Sequence, residues 1–256
     1  MGTGSVPVKD AHAWTEFMSE RRQRFRRDAR IVVVVTIGLM GGGCANTRQV
    51  GTTAQSFLNH ARDSHDPNMR HLAYARLANP NCYDSERQRA EAATFLAGRL
   101  VDGKEPTVSR AVICRTLGEL RLQEGREALR RACDDPEPVV RAAACRALGR
   151  LNIEEDASVL ARIMTADLDP DCRIAAIEGL GSMRIYDPRV KIVLIDGMEN
   201  SDPAIRLASY EALKRTTGED LGPDPKSWKG KFGDESGAGD GATGATRDEA
   251  ATIGTR

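Results

Sequence analysis

A motif that recurs five times is the feature that most constrains the fold of this 256-residue chain. Each copy holds an arginine near its start and a leucine seven positions later. The copies are DPNMRHLAYARLA from Asp66, EPTVSRAVICRTLG from Glu105, EPVVRAAACRALG from Glu137, DPDCRIAAIEGLG from Asp169 and DPAIRLASYEALK from Asp202. Self-similarity with a period of about 20–50 residues indicates an array of small structural units rather than one irregular globule.

Each copy has the pattern of an α-helix with a defined start. An acidic residue followed by proline, as in Asp169-Pro170, suits the position before a helix and its first turn, because the carboxylate accepts free backbone N–H groups and proline has none to leave unpaired. Apolar and small residues then recur three and four apart, which predicts one buried stripe. A glycine follows the last leucine in three copies, at Gly118, Gly149 and Gly181, and we expect these glycines to end their helices in a left-handed conformation.

A second set of helices is predicted between the copies, over residues 53–63, 85–101, 124–133, 155–165 and 188–199. The unit is then a helical hairpin of about 32 residues, and stacked hairpins bury a continuous core that one hairpin cannot bury alone. The predicted fold class is all-α, an α-solenoid of about five hairpins over residues 52–217. Residues 218–233 are predicted to cap it, with a helix or turn at 225–232 and Trp228 on the last apolar face.

The units resemble HEAT repeats, particularly the short kind called PBS-lyase HEAT-like repeats, whose second helix reads D/E-P-x-V/I-R-x-A-A-x-x-A-L-G. The resemblance extends from Gly51 to Thr217 and is strongest in the last three units. It implies a HEAT-like superhelix used mainly to hold other proteins. It also implies that the repeated arginines pair with an acid or carbonyl of the adjacent unit, rather than forming a row for a ligand: Arg70, Arg110, Arg141, Arg173 and Arg206. Acids available for pairing are Asp134, Asp135, Asp167 and Asp202.

The N-terminal segment has the order of an export signal. A basic block over residues 21–27 precedes a ten-residue apolar run, 31–40, and three glycines lead into Cys44. The run is shorter than the roughly 20 residues needed to span a bilayer. We therefore predict a signal peptide over residues 1–43, with Met18 as an alternative start. The segment resembles a bacterial lipoprotein signal, which implies lipid on Cys44, with ordinary secretion or an uncleaved anchor as alternatives.

The segments flanking the repeats have their own predicted roles. Residues 44–51 would be a lipidated tether, so the predicted location is the cell envelope, with the protein lipid-anchored to a membrane and facing the periplasm or exterior. Residues 234–256 are rich in Gly, Ala, Thr and Asp, and too poor in large apolar residues to bury a core, so they are predicted to be disordered.

Candidate chemical groups are few. His60, His65 and His71 are five and six positions apart, which matches no pair of metal ligands on one helix face, so we expect packing or surface histidines and no metal site. Five cysteines besides Cys44 are expected to be buried thiols, because stacked helices lie about 8–10 Å apart and a disulfide needs Cα atoms within about 7 Å. No nucleophile motif or phosphate loop is present, and we predict no catalytic residue and no cofactor.

The functional expectation follows from these features. From Cys44 onward the chain has 30 basic and 33 acidic residues, which gives no electrostatic footprint for nucleic acid. The leading prediction is a non-enzymatic, membrane-anchored protein–protein interaction scaffold of the bacterial cell envelope, with a protein partner and membrane contact through the N-terminal lipid. The alternative is an enzyme or enzyme accessory of the bilin-lyase HEAT-like type, which the export signal and the 4% aromatic content disfavour.

Overall fold

The computed structural model describes residues 52–183 and 187–233, and within these ranges the chain is helical with no β-strand. The all-α prediction is confirmed for this part. Three short 3₁₀ turns lie in connections, at Pro80–Cys82, Gln123–Gly125 and Glu154–Asp156. The α-helices are α1 Ala54–Asp63, α2 Pro67–Arg76, α3 Glu86–Asp102, α4 Thr107–Leu120, α5 Arg126–Ala132, α6 Pro138–Leu151, α7 Ala157–Ala166, α8 Pro170–Ser182, α9 Pro188–Gly197, α10 Pro203–Thr217 and α11 Pro225–Phe232.

The helices pair as hairpins whose second members are the even-numbered helices α2 to α10. Each second helix packs against its own first helix and against the second helices of neighbouring hairpins in chain order. The repeated leucines all lie in the resulting core, each no more than 1% exposed: Leu77, Leu117, Leu148, Leu180 and Leu213. The period of the sequence is therefore a period of core contacts between adjacent hairpins.

Acid–proline pairs start most of the second helices. The Asp66 carboxylate accepts the Asn68 N–H at 2.9 Å, and the Asp202 carboxylate accepts the Ala204 N–H at 2.8 Å, with proline in the first turn of each helix. The second hairpin differs because its motif has one extra residue. There Pro106 itself precedes α4 and the acid before it, Glu105, is 4% exposed instead of capping the helix.

The glycines predicted to end helices lie inside them, so that prediction is wrong. Helix α4 is instead followed by the left-handed Arg121, with φ 53°, and α6 by the left-handed Asn152, with φ 56°, whereas α8 is followed by the extended Met183. The glycines are points of close helix contact: an added Cβ at Gly149 would stand 2.5 Å from Gly179 Cα. Corresponding distances are 2.8 Å from Gly118 to Ala147 Cα and 2.7 Å from Gly181 to Ala212 Cβ.

Helix α11 packs against α9 in the last hairpin. Trp228 is fully buried there, and its indole N–H donates to the carbonyl of Gly222 at 2.7 Å. Its ring stacks on Phe232 and meets the edge of Tyr210. A tryptophan covers the apolar side of the last hairpin while its single polar group remains paired.

The predicted signal peptide, Cys44, the tether over residues 44–51 and the tail over 234–256 lie outside the described residues. Their predictions stay predictions. In the described part of the chain, no helix has both the length and the apolar character needed to cross a membrane.

The close helix contacts lead to a test with a matched pair of substitutions. Gly149→Ala forces a methyl group onto the backbone of Gly179, whereas Gly98→Ala adds one on the exposed face of α3 with nothing within 4 Å. Each substitution replaces a glycine inside a helix by alanine, so the gain in helix propensity is the same for both. Relative to Gly98→Ala, we expect Gly149→Ala to lower the free energy of unfolding by about 1–3 kcal/mol, measured by urea denaturation. Equal stability of the two variants would contradict close packing at Gly149.

Candidate functional site

Three of the repeated arginines form bidentate ion pairs with an acid of the next hairpin, and we call this row the arginine–carboxylate ladder. Arg70 Nε and Nη2 donate to Glu105 at 3.0 and 3.2 Å. Arg110 Nε and Nη2 donate to Asp135 at 3.1 and 2.9 Å, and Arg141 does the same to Asp167 at 2.8 and 2.9 Å. Each pair, or rung, ties one second helix to the turn before the next second helix.

Each ladder arginine also holds the turn before its own helix. Arg110 Nη1 donates to the carbonyl of Glu105 at 3.1 Å, and Arg141 Nη1 donates to that of Asp135 at 3.0 Å. Arg206, in the last hairpin, donates to the carbonyls of Asn200 and Ser201, both at 2.9 Å. The planar guanidinium uses one edge for a carboxylate and the remaining nitrogen for the backbone, which a lysine cannot do.

Low solvent exposure makes the third rung strong in electrostatic terms. The Arg141 side chain is 16% exposed and the Asp167 side chain 5%. The hydrogen bonds from Arg141 hold the pKa of Asp167 below its usual value, and those same bonds raise the pKa of Arg141. A pair this well shielded from water differs from exposed ion pairs, which contribute little.

The first rung includes a buried tyrosine. The Tyr74 hydroxyl donates to Glu105 Oε1 at 3.0 Å, and Thr116 donates to the Tyr74 carbonyl at 2.9 Å. Burial, followed by the hydrogen bond to Glu105, raises the pKa of Tyr74 to about 12. The sequence carried one signal for this contact, a tyrosine among the small residues of the first copy, but no pattern that named Glu105 as its partner.

The ladder breaks at the fourth hairpin. Asp135 and Asp167 each use Oδ1 to accept the N–H two residues on, at 2.9 Å, and Asn200 accepts the N–H of Asp202 in the same way at 3.0 Å. Asn200 therefore occupies the position of the ladder acid and keeps its turn, but it has no charge. The side chain of Arg173, the arginine that precedes it, makes no hydrogen bond or ion pair within the described residues, and its buried Nε has no acceptor there.

A second ion pair between hairpins escaped sequence reasoning. Asp156 is fully buried and accepts from Arg126 Nε at 3.0 Å and Nη2 at 3.1 Å, with Arg130 Nη1 at 3.8 Å. These bonds raise the pKa of Arg126. The pair links the start of α5 to the start of α7, and it lies outside the repeated motif. Its only sequence signal is that Arg126 and Asp156 are separated by close to the length of one repeat.

The histidines are not gathered into a site. His60 Nδ1 donates to the Ser56 carbonyl at 2.8 Å, and His71 Nδ1 lies 3.4 Å from the Ser109 hydroxyl. Over residues 52–183 and 187–233, no group of three or more His, Cys, Asp or Glu side chains could hold a metal ion.

The cysteines of the repeat region are free, buried thiols. Burial raises the pKa of Cys114 to about 12 and that of Cys172 to about 11, which disfavours the reactive thiolate. The sequence placed Cys114 and Cys145 at equivalent points, but the thiols that meet are Cys133 and Cys145, with sulfurs 3.9 Å apart.

Comparison with known proteins identifies the repeats. Residues 93–181 match the protein family described as HEAT repeats. This part of the chain consists of HEAT repeats. Among solved structures, the chain is similar to the complex of CpcE and CpcF of phycocyanin lyase from Nostoc sp. PCC7120, with a TM-score of 0.54 and 19% sequence identity over 72% of this chain and 71% of that one. No curated protein matches the chain in sequence.

The structural similarity corrects the functional expectation. At 19% identity the likeness concerns the fold, and that fold occurs in a lyase complex. The prediction of a non-enzymatic interaction scaffold is therefore wrong, and the match favours its bilin-lyase-type alternative. The predicted lipid anchor and envelope location stay predictions. The export signal and the 4% aromatic content had disfavoured this alternative, but neither feature determines which activity a helical-repeat fold supports.

The broken ladder predicts unequal roles for two arginines of the same register. Arg141→Ala strands the buried Asp167 carboxylate and should lower the free energy of unfolding by about 3–5 kcal/mol. Arg173→Ala strands no bound carboxylate, and we expect the ordinary loss of about 1 kcal/mol. Chemical denaturation of both variants measures the difference, and equal losses would show that the ladder carboxylate contributes nothing to stability.

The lowered pKa of Asp167 predicts acid sensitivity. Its stabilising contribution is present above its usual pKa of 3.8 and is lost as the pH falls through the lower folded value. Asp167→Asn should therefore flatten the fall in unfolding free energy below about pH 4. Asp102→Asn, at an exposed position in α3, is the control and should keep the wild-type slope. An unchanged slope in Asp167→Asn would argue against the ion pair.

Proposed function

We propose that this protein is an enzyme or enzyme accessory of the bilin-lyase HEAT-like type that acts in complex with a protein partner. The observation that carries the proposal is the similarity to a chain from the structure of the complex of CpcE and CpcF of phycocyanin lyase, over about seven-tenths of this chain and of that one. We also propose that the five hairpins form an open superhelix, because successive hairpins pack against each other in chain order.

The chemistry of the described residues favours the accessory role. The cysteines whose thiol pKa is raised are buried, so they are poor candidates for carrying a covalent intermediate. The hairpins instead present a rigid surface, because the ion pairs of the ladder hold the first turns of the second helices in fixed positions relative to each other. A surface of this kind binds and positions a partner or a substrate more readily than it activates a nucleophile.

Exposed apolar residues mark one part of that surface. Val108 is 65% exposed and Val139 is 54% exposed, and each stands two residues before a ladder arginine, Arg110 or Arg141. Their shared register places them at the same edge of adjacent hairpins. Large apolar side chains that are exposed to solvent at equivalent positions favour a surface that contacts an apolar face of a partner or ligand.

The proposal is tested with apo-phycocyanin and biliverdin as probes. We expect the purified chain to form a complex with apo-phycocyanin in sedimentation velocity, or to produce a saturable change in biliverdin absorbance. Val139→Lys should weaken the interaction at least about tenfold, because it places a charge in the apolar contact. Val101→Lys is the matched control, since Val101 is 51% exposed on the first helix α3, and it should leave binding unchanged.

Two outcomes would contradict the proposal. One is a correctly folded chain, verified by circular dichroism, that binds neither probe. The other is binding that Val139→Lys and Val101→Lys weaken to the same extent, which would indicate a non-specific charge effect.

A further inference from the structure

We propose that Arg173 is a carboxylate-binding site, at which a carboxylate from outside the five hairpins completes the fourth rung of the ladder. This site does not depend on the proposed function, since it follows from the ladder alone. The chemistry is that of the other rungs, a planar carboxylate facing the edge of a guanidinium group.

The register of the ladder places the site. In three consecutive hairpins the arginine donates through Nε to a carboxylate of the next turn, at 3.0, 3.1 and 2.8 Å. Arg173 lies one repeat after Arg141, and Asn200 lies one repeat after Asp167. Since Asn200 makes the same turn contact as Asp135 and Asp167, the backbone of the fourth rung is built like the others. The fourth rung differs only in that the neutral Asn200 stands at the position of the ladder acid.

The state of Arg173 shows what the site requires. Its Nε is buried and has no acceptor within the described residues, although the side chain as a whole is partly exposed. A buried donor without an acceptor is unfavourable, and native proteins rarely keep one without a reason. Part of the residue reaches solvent, and an outside group would approach the guanidinium from that side. A bound carboxylate would supply the acceptor and the missing negative charge together.

Neighbouring charges favour a single negative charge in the ligand. Asp167 acts electrostatically on Arg173, but both of its oxygens are already bound by Arg141. Arg173 therefore lies in the field of Asp167 without a hydrogen bond to it. Asp169 and Asp202 lie at the starts of α8 and α10, where their carboxylates accept backbone N–H groups. A doubly charged phosphate would be repelled by these acids, whereas a carboxylate matches the one uncompensated guanidinium and its flat geometry.

The arginine Nε–H resonances in nitrogen-15 NMR test the site directly. The probe is sodium acetate, titrated against sodium chloride at equal ionic strength, with Arg173→Lys used to assign the signal. We expect a saturable shift of the Arg173 Nε–H signal with acetate and no shift of the Arg141 signal, because Arg141 is already paired. No response at Arg173, or a linear response equal to that in chloride, overturns the proposal.

Asn200→Asp is the decisive variant, because it supplies the fourth rung from within the chain. We expect the acetate response of Arg173 to be lost, its Nε–H signal to resemble that of Arg141, and the melting temperature to rise. An acetate response that is the same in Asn200→Asp as in the wild type overturns the proposal. If Asn200→Asp does not fold, the comparison of Arg173 with Arg141 in the wild-type chain still decides.

The source of the carboxylate is distinguished by a peptide arm. Acetyl-Gly-Asp-Gly-amide is titrated beside acetate, with the Asn peptide as its control. A shift of the Arg173 signal at lower concentrations of the Asp peptide than of acetate supports a side chain of a protein partner. The reverse order supports a small carboxylate. A response to the Asn peptide equal to the Asp peptide overturns carboxylate recognition.

Discussion

Close approach between successive second helices is the constraint on which the rest of this structure depends. Gly149 faces Gly179 so closely that a single methyl group would meet backbone atoms, and Gly118 and Gly181 face alanines. Such contacts bring helix backbones together, and packing of side-chain ridges into grooves favours a few crossing angles, each with considerable scatter. The ion pairs of the ladder add directional contacts between successive hairpins. A bidentate guanidinium fixes both distance and angle, so that each rung sets the orientation that the small residues leave free.

How far the sequence predicted this arrangement depends on whether a residue acts within its own hairpin or across to the next. Asp66, Asp169 and Asp202 cap helices through local hydrogen bonds, and their role was visible from the acid–proline pair. Gly118 and Gly149 instead contact a residue of the next hairpin. They were predicted to be helix ends because glycine commonly ends helices. Periodicity showed that hairpins stack, but not how close they come.

The candidate site shows the same division. The repeated arginines were visible as a row, and Asp135 and Asp167 were among the acids named as available. Glu105 was missed as a rung because the extra residue before Arg110 turned it away from the helix start. Asp156 was missed because its arginine lies in a first helix, where no motif repeats. A single missing charge at Asn200 is invisible to a pattern search, since asparagine and aspartate make the same turn.

The asparagine separates two roles that the ladder acids combine. Asp135 and Asp167 shape a turn through one oxygen and bind an arginine with both, whereas Asn200 performs only the first role. If the arginine rung served stability alone, an arginine without its acid would be unfavourable, because a cation with a buried, unpaired donor destabilises the fold. Arg173 is nevertheless present, in register and partly exposed. An arginine without an internal partner is consistent with the proposed external carboxylate. The same geometry that braces three hairpins then becomes, at the fourth, a means of binding a carboxylate that the fold itself does not provide.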